Sequence, residues 1–261
     1  MQQTVTPTLL SNKRQAEIIK IVRTRGSCSI GELARQLDVS DETIRRNVKV
    51  LSANGLLEKV RGGVMVPHAV SEPAFPFRMS ENKEAKQRIA ATIAGLVQDG
   101  DSLILDNGST TAYIAQALTS HQNLFVVTNS VVIANILAIR PGNRVFMAGG
   151  ELRNHDGGAF GPEALDFVKN FEVGRAIFSS AAIHPEKGFL VHHLCEAEFA
   201  RAIVARSERT YVAADSSKFG RRAPLRMCEP SDVDELITDT APPSDLAGML
   251  ADNGIATTLA G

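Results

Sequence analysis

The chain has 261 residues, enough for one large domain or for a small domain joined to a medium one, and two domains is the expected arrangement. A hydrophobic fraction of 44% and a charged fraction of 22% are ordinary for a globular protein, and no apolar run approaches the roughly 20 residues needed to span a bilayer. The net charge of −1 excludes a wholly basic protein but conceals an asymmetry: residues 1–66 hold 11 Lys and Arg against 6 Asp and Glu, a balance of +5, and the remainder holds 17 against 23, a balance of −6. A basic head on an acidic body points to a protein that meets a polyanion through its head alone. The opening residues, MQQTVTPTLL, lack a basic segment followed by an apolar one, so no secretion signal is expected and the location is expected to be cytoplasmic. Cys28, Cys195 and Cys228 are far apart, odd in number and form no C-x-x-C pair, which predicts reduced thiols.

The stretch NKRQAEIIKIVRTRG reads as a helix, because Ile18, Ile21 and Val22 recur at the i, i+3, i+4 spacing that gathers apolar side chains on one face, and Gly26 can close it. In SIGEL, Ser29 and Glu32 form a capping box ahead of a second helix whose buried stripe is Ile30, Leu33, Ala34 and Leu37. After a very short turn, DVS, Ser40 is a suitable N-cap for a third helix, with Asp41 and Glu42 favoured in its first turn by the helix dipole. On that third helix Ile44, Val48 and Leu51 share one side, and Arg45, Arg46 and Lys49 share the other. One side is core; the other suits a polyanion. Gly55 ends the helix, and LLEKV and VMV flank RGG, predicting two short strands joined by a glycine turn with Arg61 at its tip.

A helix-turn-helix followed by a wing is a DNA-reading arrangement: the major groove admits a helix, arginines bind guanine edges bidentately, and a basic hairpin follows phosphates or the minor groove. Ser40, Thr43, Arg45, Arg46, Lys49 and Arg61 are the candidate contacts to double-stranded operator DNA. The plainer alternative, a solvated basic face on an ordinary helical domain, leaves the agreement of turn length, caps, charge segregation and wing unexplained.

Pro67, Pro73 and Pro76 argue against a regular helix or central strand in PHAVSEPAFPFRMSENKEAK, so a linker over 67–83 is expected between a DNA-binding domain, 1–66, and a second domain, 84–261. Beyond it the pattern alternates. EAKQRIAATIAGLV reads as a helix, SLILD as a strand, TAYIAQAL as a helix, LFVVT as a strand, SVVIANILA as a helix and RVFMAGG as a strand; AIFSSAAI and TYVAADSSKFG also read as strands. Alternating strands and amphipathic helices predict an α/β domain with a parallel sheet covered on both faces.

Ligands of such sheets gather at the carboxyl ends of the strands. DNGSTT, residues 106–111, joins a strand to a helix there: Gly108 permits close backbone approach, Ser109, Thr110 and Thr111 offer hydroxyls, and the helix start offers N–H groups to an anion such as a phosphate. It lacks the ending of a P-loop and is not a dinucleotide fingerprint, and taken alone it is equally the cap of a helix. TNS, residues 128–130, and AGG, residues 148–150, stand at the next two strand ends. After TYVAA, Lys218 can balance a phosphate charge and Asp215 can accept from sugar hydroxyls, the alternative being an Asx-turn with a surface lysine.

ELARQLDVSDETIRRNVKVLSANGLLEKVRGGV resembles the N-terminal signature of the DeoR family of bacterial transcriptional regulators, with its VS, TIRR, L...G.L and GG elements in order. Asn47 stands where the family usually has Asp; it projects toward the apolar seam, so it is expected to affect the orientation of Arg45 and Arg46 more than base reading itself. From Asn12 to the final strand the resemblance continues through GDSLILDNGSTT, VVTNS, GGELR, EAE and ADSSKFG. It implies a Rossmann-like sensor related to the ribose-5-phosphate isomerase and coenzyme A transferase folds, binding a phosphorylated sugar or polyol. It further implies that Asp106, Gly108, Ser109, Thr110, Thr111, Thr128, Asn129, Glu196, Asp215 and Lys218 line the effector pocket. A homodimer or homotetramer that represses a carbohydrate or polyol catabolic operon until its effector arrives is the family's usual form.

The alternative is a sugar-phosphate isomerase-like enzyme fused to a DNA-binding domain, with Asp106, Glu196 or Asp215 as its acid or base. The chain lacks the Asp-Gly-Ala-Asp and Lys-Gly-Gly-Gly elements of ribose-5-phosphate isomerases, so a regulator is expected rather than an enzyme. HHLCE suggests a metal site of His192, His193 and Cys195, with His184, but adjacent histidines point apart and a second closely spaced ligand pair is missing. No metal and no cofactor are expected.

Overall fold

The computed structural model describes residues 13–25, 27–65, 73 and 75–261; the opening residues, Gly26, Val66 and Pro67, to which parts of the sequence reading refer, lie outside the described residues. The chain divides into two compact units, Met1–Glu81 and Asn82–Gly261.

In the first unit α1 (Lys13–Arg25), α2 (Ile30–Gln36) and α3 (Asp41–Ala53) enclose a core in which Ile18, Val22, Leu33, Ile44, Leu51 and Val64 are buried. The capping box forms as the spacing requires: the Ser29 hydroxyl accepts from the Glu32 N–H at 3.2 Å, and the Glu32 carboxylate accepts from the Ser29 N–H at 2.8 Å. β1 (Ser27–Ser29), β2 (Glu58–Val60) and β3 (Gly63–Met65) form an antiparallel sheet with β3 in the middle. At three residues β1 is too short for alternation to mark it in the sequence.

Gly63 is fixed by this sheet, since a Cβ there would lie 2.5 Å from the Cys28 carbonyl oxygen and 3.0 Å from the Ser29 Cα. Both obstacles are backbone, and only separation of β1 from β3 relieves them. Gly63→Ala is therefore expected to destabilise the first unit by about 1–3 kcal/mol, the usual cost of forced overpacking, as a fall in the thermal midpoint of the full chain's first transition.

The proline-rich segment differs from expectation. Residues Phe75–Ser80 form a helix, α4, in which Pro76 occupies the first turn, where its missing N–H has no helical partner to lose. Phe77 of α4 is buried in the core of the first unit, and the Arg78 Nε donates to the Pro73 carbonyl at 3.0 Å. Much of the segment expected as linker is thus packed structure.

The second unit carries α5 (Lys83–Leu96), β4 (Ser102–Leu105), α6 (Ser109–Ala117), β5 (Phe125–Thr128), α7 (Val131–Leu137), β6 (Arg144–Met147) and α8 (Pro162–Val168). There follow β7 (Val173–Phe178), β8 (Ala182–His184), β9 (Gly188–Val191), α9 (Leu194–Val204), β10 (Ser207–Ala213), β11 (Leu225–Arg226), β12 (Glu235–Thr238), α10 (Ser244–Asp252) and β13 (Ala256–Leu259). Seven strands pair in parallel in the order β13-β12-β10-β7-β4-β5-β6. Leu103, Ile104 and Leu105 are successive in β4 and all fully buried, so both faces of the sheet are covered.

AIFSSAAI is not one strand. β7 stops at Phe178, the Ser180 hydroxyl turns back to within 2.7 Å of the Ala182 carbonyl, and β8 then joins β9 and β11 in a small antiparallel sheet. TYVAADSSKFG likewise leaves the sheet after Ala213 and coils into a 3-10 turn over Ser216–Lys218. The winding reverses between β4 and β7, which makes the carboxyl ends of those two strands the topological switch point.

Candidate functional site

Two sites emerge, one in each unit. On α3, Arg45, Arg46 and Lys49 are exposed while Ile44, Val48 and Leu51 are buried, as the wheel predicts. The Ser40 hydroxyl accepts from the Thr43 N–H at 3.3 Å and lies 2.9 Å from the Thr43 hydroxyl, so both residues shape the start of α3. Arg61 is exposed at the hairpin tip beside Gly62, whose φ of +82° suits glycine. A cleft of about 510 Å³ between α3 and the hairpin is lined by Glu42, Arg45, Arg46, Lys49 and Lys59, over a floor that includes Val48 and Gly63. Lys59, one of the cations in the positive balance of residues 1–66, thus joins the candidate interface. Asn47 is buried on the core side of α3, and its Nδ2 donates to the Thr43 carbonyl at 2.8 Å, a bond an ionised Asp has no proton to make.

In the second unit the β4 end carries Asp106, Asn107 and Gly108. The Asn107 N–H donates to Asp106 Oδ1 at 2.7 Å and to Asn129 Oδ1 at 2.9 Å, joining the ends of β4 and β5. Thr128 is buried, with its hydroxyl donating to the Leu105 carbonyl at 2.7 Å and accepting from the Ser130 N–H at 3.1 Å, so it braces the two strand ends. The Asn107 side chain, Asn129 Nδ2 and Ser130 Oγ are buried without hydrogen-bond partners. Gly108 starts α6 without a side-chain cap, and a Cβ there would lie 2.3 Å from the Ser179 hydroxyl beyond β7, so glycine brings the two edges of the switch point together. Ser109, Thr110 and Thr111 are buried in the first turn, with the Thr111 hydroxyl donating to the Gly108 carbonyl at 3.0 Å.

Above this crevice Arg153 gathers charge. Its guanidinium donates to Asp156, with Nε 3.2 Å from Oδ1, donates to Glu196 Oε1 at 2.9 Å, and stacks 4.1 Å from the centre of the Phe160 ring. Glu196 also accepts from the His193 N–H at 3.2 Å, so it caps α9 as well as pairing with Arg153. Burial pushes the Asp106 carboxyl up to about 7, and the negative charge of Glu196 adds to the effect against a smaller opposing pull from the Asn107 N–H and Arg153. Asp156 is held below the usual carboxylate range: its burial would raise it, but the hydrogen bonds and charge of Arg153 outweigh that.

Asp215 and Lys218 stand at the end of β10, two strands from β4 and so about 10 Å across the sheet. Asp215 is buried, with Oδ1 accepting from Ser217 N–H at 3.1 Å and from Asn82 Nδ2 at 2.8 Å and with Oδ2 unpartnered; Lys218 is half-buried. The sequence-predicted residues therefore form two neighbouring groups along one sheet edge. Arg153, Asp156, Asn107 and Ser179 were missed. The signal for Arg153 was the lone arginine following the strand-end glycines in GGELR, and for Asp156 the glycine pair after it. Burial pushes the Cys228 thiol up to about 12 and also raises Cys195 and Cys28, which disfavours the thiolate at each.

Residues 14–70 match the family model of the DeoR-like helix-turn-helix domain, and residues 81–240 match that of the DeoR C terminal sensor domain. The chain belongs to the DeoR family. Among relatives of this DeoR-family protein, the glycerol-3-phosphate regulon repressor of Escherichia coli (strain K12) is 35% identical over 93% of this chain and 96% of its own length. The HTH-type transcriptional repressor CsqR of the same organism is 32% identical over 95% of each chain. The transcriptional repressor AccR of Agrobacterium fabrum is 31% identical over 87% of this chain and 89% of its own. The ribose 5-phosphate isomerase A of Methanocaldococcus jannaschii aligns with 53% of this chain and 55% of its own at 17% identity and a TM-score of 0.38, too remote to bear on activity. This DeoR-family chain is a DNA-binding transcriptional regulator and not an enzyme. Among the described residues no helix is long and apolar enough to cross a membrane.

Proposed function

We propose that this regulator represses a carbohydrate or polyol catabolic operon from the cytoplasm, and that a phosphorylated sugar or polyol relieves the repression. Ser40, Thr43, Arg45, Arg46, Lys49 and Arg61 make the DNA interface, with Arg45 and Arg46 reading bases and Arg61 following the backbone. The effector lies along the sheet edge. Gly108, Ser109, Thr110 and Thr111 take the phosphate at the start of α6, Thr128 holds the strand ends in place, and Asp106, Asn129 and Glu196 surround the crevice. Asp215 accepts from hydroxyls and Lys218 supplies the countercharge. The observation that carries this reading is the group of buried, unpartnered hydrogen-bonding atoms on Asn107, Asn129, Ser130 and Asp215 at the carboxyl ends of a parallel sheet, since buried polar groups demand partners and a polyol supplies them. The relative named for a glycerol-3-phosphate regulon makes glycerol 3-phosphate the first compound to try. A homodimer or homotetramer acting on paired half-sites fits the helix-turn-helix, whose spacing on DNA repeats near one duplex turn, roughly 34 Å.

Thermal-shift screening of the full chain against phosphorylated sugars and polyols tests the ligand class, because selective binding to the folded state raises the midpoint by mass action. Lys218→Ala is expected to leave operator affinity unchanged while weakening the response to the best hit about tenfold, the loss of one charge-assisted contact of about 1.5 kcal/mol. Titrating operator affinity against ligand checks it; a full response in the variant removes Lys218 from the site.

A further inference from the structure

Asn82 is the first residue of the second unit, immediately beyond the division at Glu81. Its φ of +52° and ψ of +39° are left-handed, a conformation that asparagine adopts more readily than most residues with a side chain. An asparagine at a helix start ordinarily turns its side-chain oxygen onto the helix N–H groups, but Asn82 makes no such cap. Its Nδ2 instead donates to Asp215 Oδ1 at 2.8 Å, across 133 residues of chain. Asp215 is 1% exposed, and its Oδ2 is unpartnered, as are the Ser217 Oγ beside it and the Thr238 Oγ1 on the adjoining strand β12. A second link runs parallel. Arg88, further along α5, lies within 4.0 Å of Asp239, which accepts from the Ser216 N–H at 2.6 Å. The start of α5 is therefore held by the loops that follow β10 and β12.

We propose that the Asn82–Asp215 hydrogen bond is the coupling between effector and DNA-binding unit: made, it holds the chain entering α5 in the arrangement competent for operator binding, and a ligand that claims Asp215 breaks it. The proposal rests on the reading of Asp215 as an effector ligand. The bond suits the role because one carboxylate serves both partners. A vicinal diol donates to both carboxylate oxygens, entering at the unpartnered Oδ2 and taking Oδ1 from the Asn82 amide, which loses its acceptor. Asn82 then keeps only its main-chain bond, the carbonyl accepting from the Lys86 N–H at 3.0 Å, at the residue from which the chain runs to the DNA-binding unit. Two discrete arrangements, bonded and released, supply the two states that coupling requires. Asn82 is thus a positioning residue and need not touch the ligand.

The test uses the full chain and a duplex fragment that the wild-type protein selects from its own genome. Asn82→Gly retains the left-handed backbone and removes the amide; Asn82→Asp retains the side-chain shape and sets a second carboxylate against Asp215. Without any ligand both variants are expected to bind the duplex about tenfold more weakly than wild type, with thermal midpoints close to it, and glycerol 3-phosphate is expected to shift their affinity by less than about twofold. Variants that bind as tightly as wild type without ligand overturn the proposal. So does a loss confined to Asn82→Gly, which would trace to backbone freedom rather than to the bond. If the wild-type chain ignores glycerol 3-phosphate and every other sugar phosphate offered, the effector reading fails, and the ligand-free comparison still decides the tether.

Discussion

Alanine at both Arg45 and Arg46 is expected to lower operator affinity at least about 30-fold, because each bidentate arginine-guanine contact is worth about 1–3 kcal/mol of discrimination. Both side chains are exposed on the face of α3 opposite Ile44, Val48 and Leu51, so their removal leaves the core intact and unfolding within about 0.5 kcal/mol of wild type. The loss should appear as a fall in the ratio of specific to non-specific affinity, measured by fluorescence anisotropy against operator and scrambled duplexes over a series of salt concentrations. Arg61→Ala separates the two kinds of contact. At the hairpin tip it is expected to reduce the slope of log affinity against log salt by about 0.9 while leaving the ratio unchanged. A double variant that still discriminates operator from scrambled DNA would move base reading away from α3.

Asp106→Asn is expected to stabilise the protein at neutral and alkaline pH. The carboxyl of Asp106 rises from 3.8 to about 7 on folding, chiefly because it is buried. Below 3.8 both folded and unfolded forms carry the proton, and the group contributes no pH dependence. Between 3.8 and about 7 the unfolded chain has released the proton and the folded chain retains it, so stability falls as pH rises, by a total on the order of 4 kcal/mol. Above about 7 the folded state carries a buried charge and the loss is complete. Asparagine retains an acceptor for the Asn107 N–H and carries no charge, so the variant lacks this slope. Urea unfolding of both proteins at pH values from about 4 to 8 should give curves that coincide at the acid end and diverge with rising pH. Parallel curves would mean that Arg153 already neutralises the carboxylate.

The head was legible nearly throughout because its signals are local. Capping at Ser29 and Ser40, the sidedness of α3 and the glycine hairpin each depend on residues within four or so positions, and the structure reproduces them. The parallel sheet was legible from apolar strands alternating with helices. The order of its strands was not, since register between β4 and β7 pairs residues 72 apart in the chain, Leu103 with Arg175. The same limit hid part of the candidate site. DNGSTT announced itself as a strand-to-helix turn, but Arg153 became significant only when folding set it against Glu196 and Asp156, and Ser179 only when β7 lay beside β4. α4 is hidden in the sequence because Pro76 reads as a breaker, although in the first turn of a helix proline is tolerated.

The sheet is laid outward from its middle. β4, β5 and β6 run one way from the reversal, and β7, β10, β12 and β13 run the other, so Asp106 and Asp215 belong to opposite arms of the same layer. A metabolite grasped by both carboxylates would act as a removable rivet, knitting sequence-distant arms together without a covalent link. Its arrival would then be felt as stiffening across the whole width of the layer, and amide protons in both arms would exchange more slowly, including those far from any atom it touches.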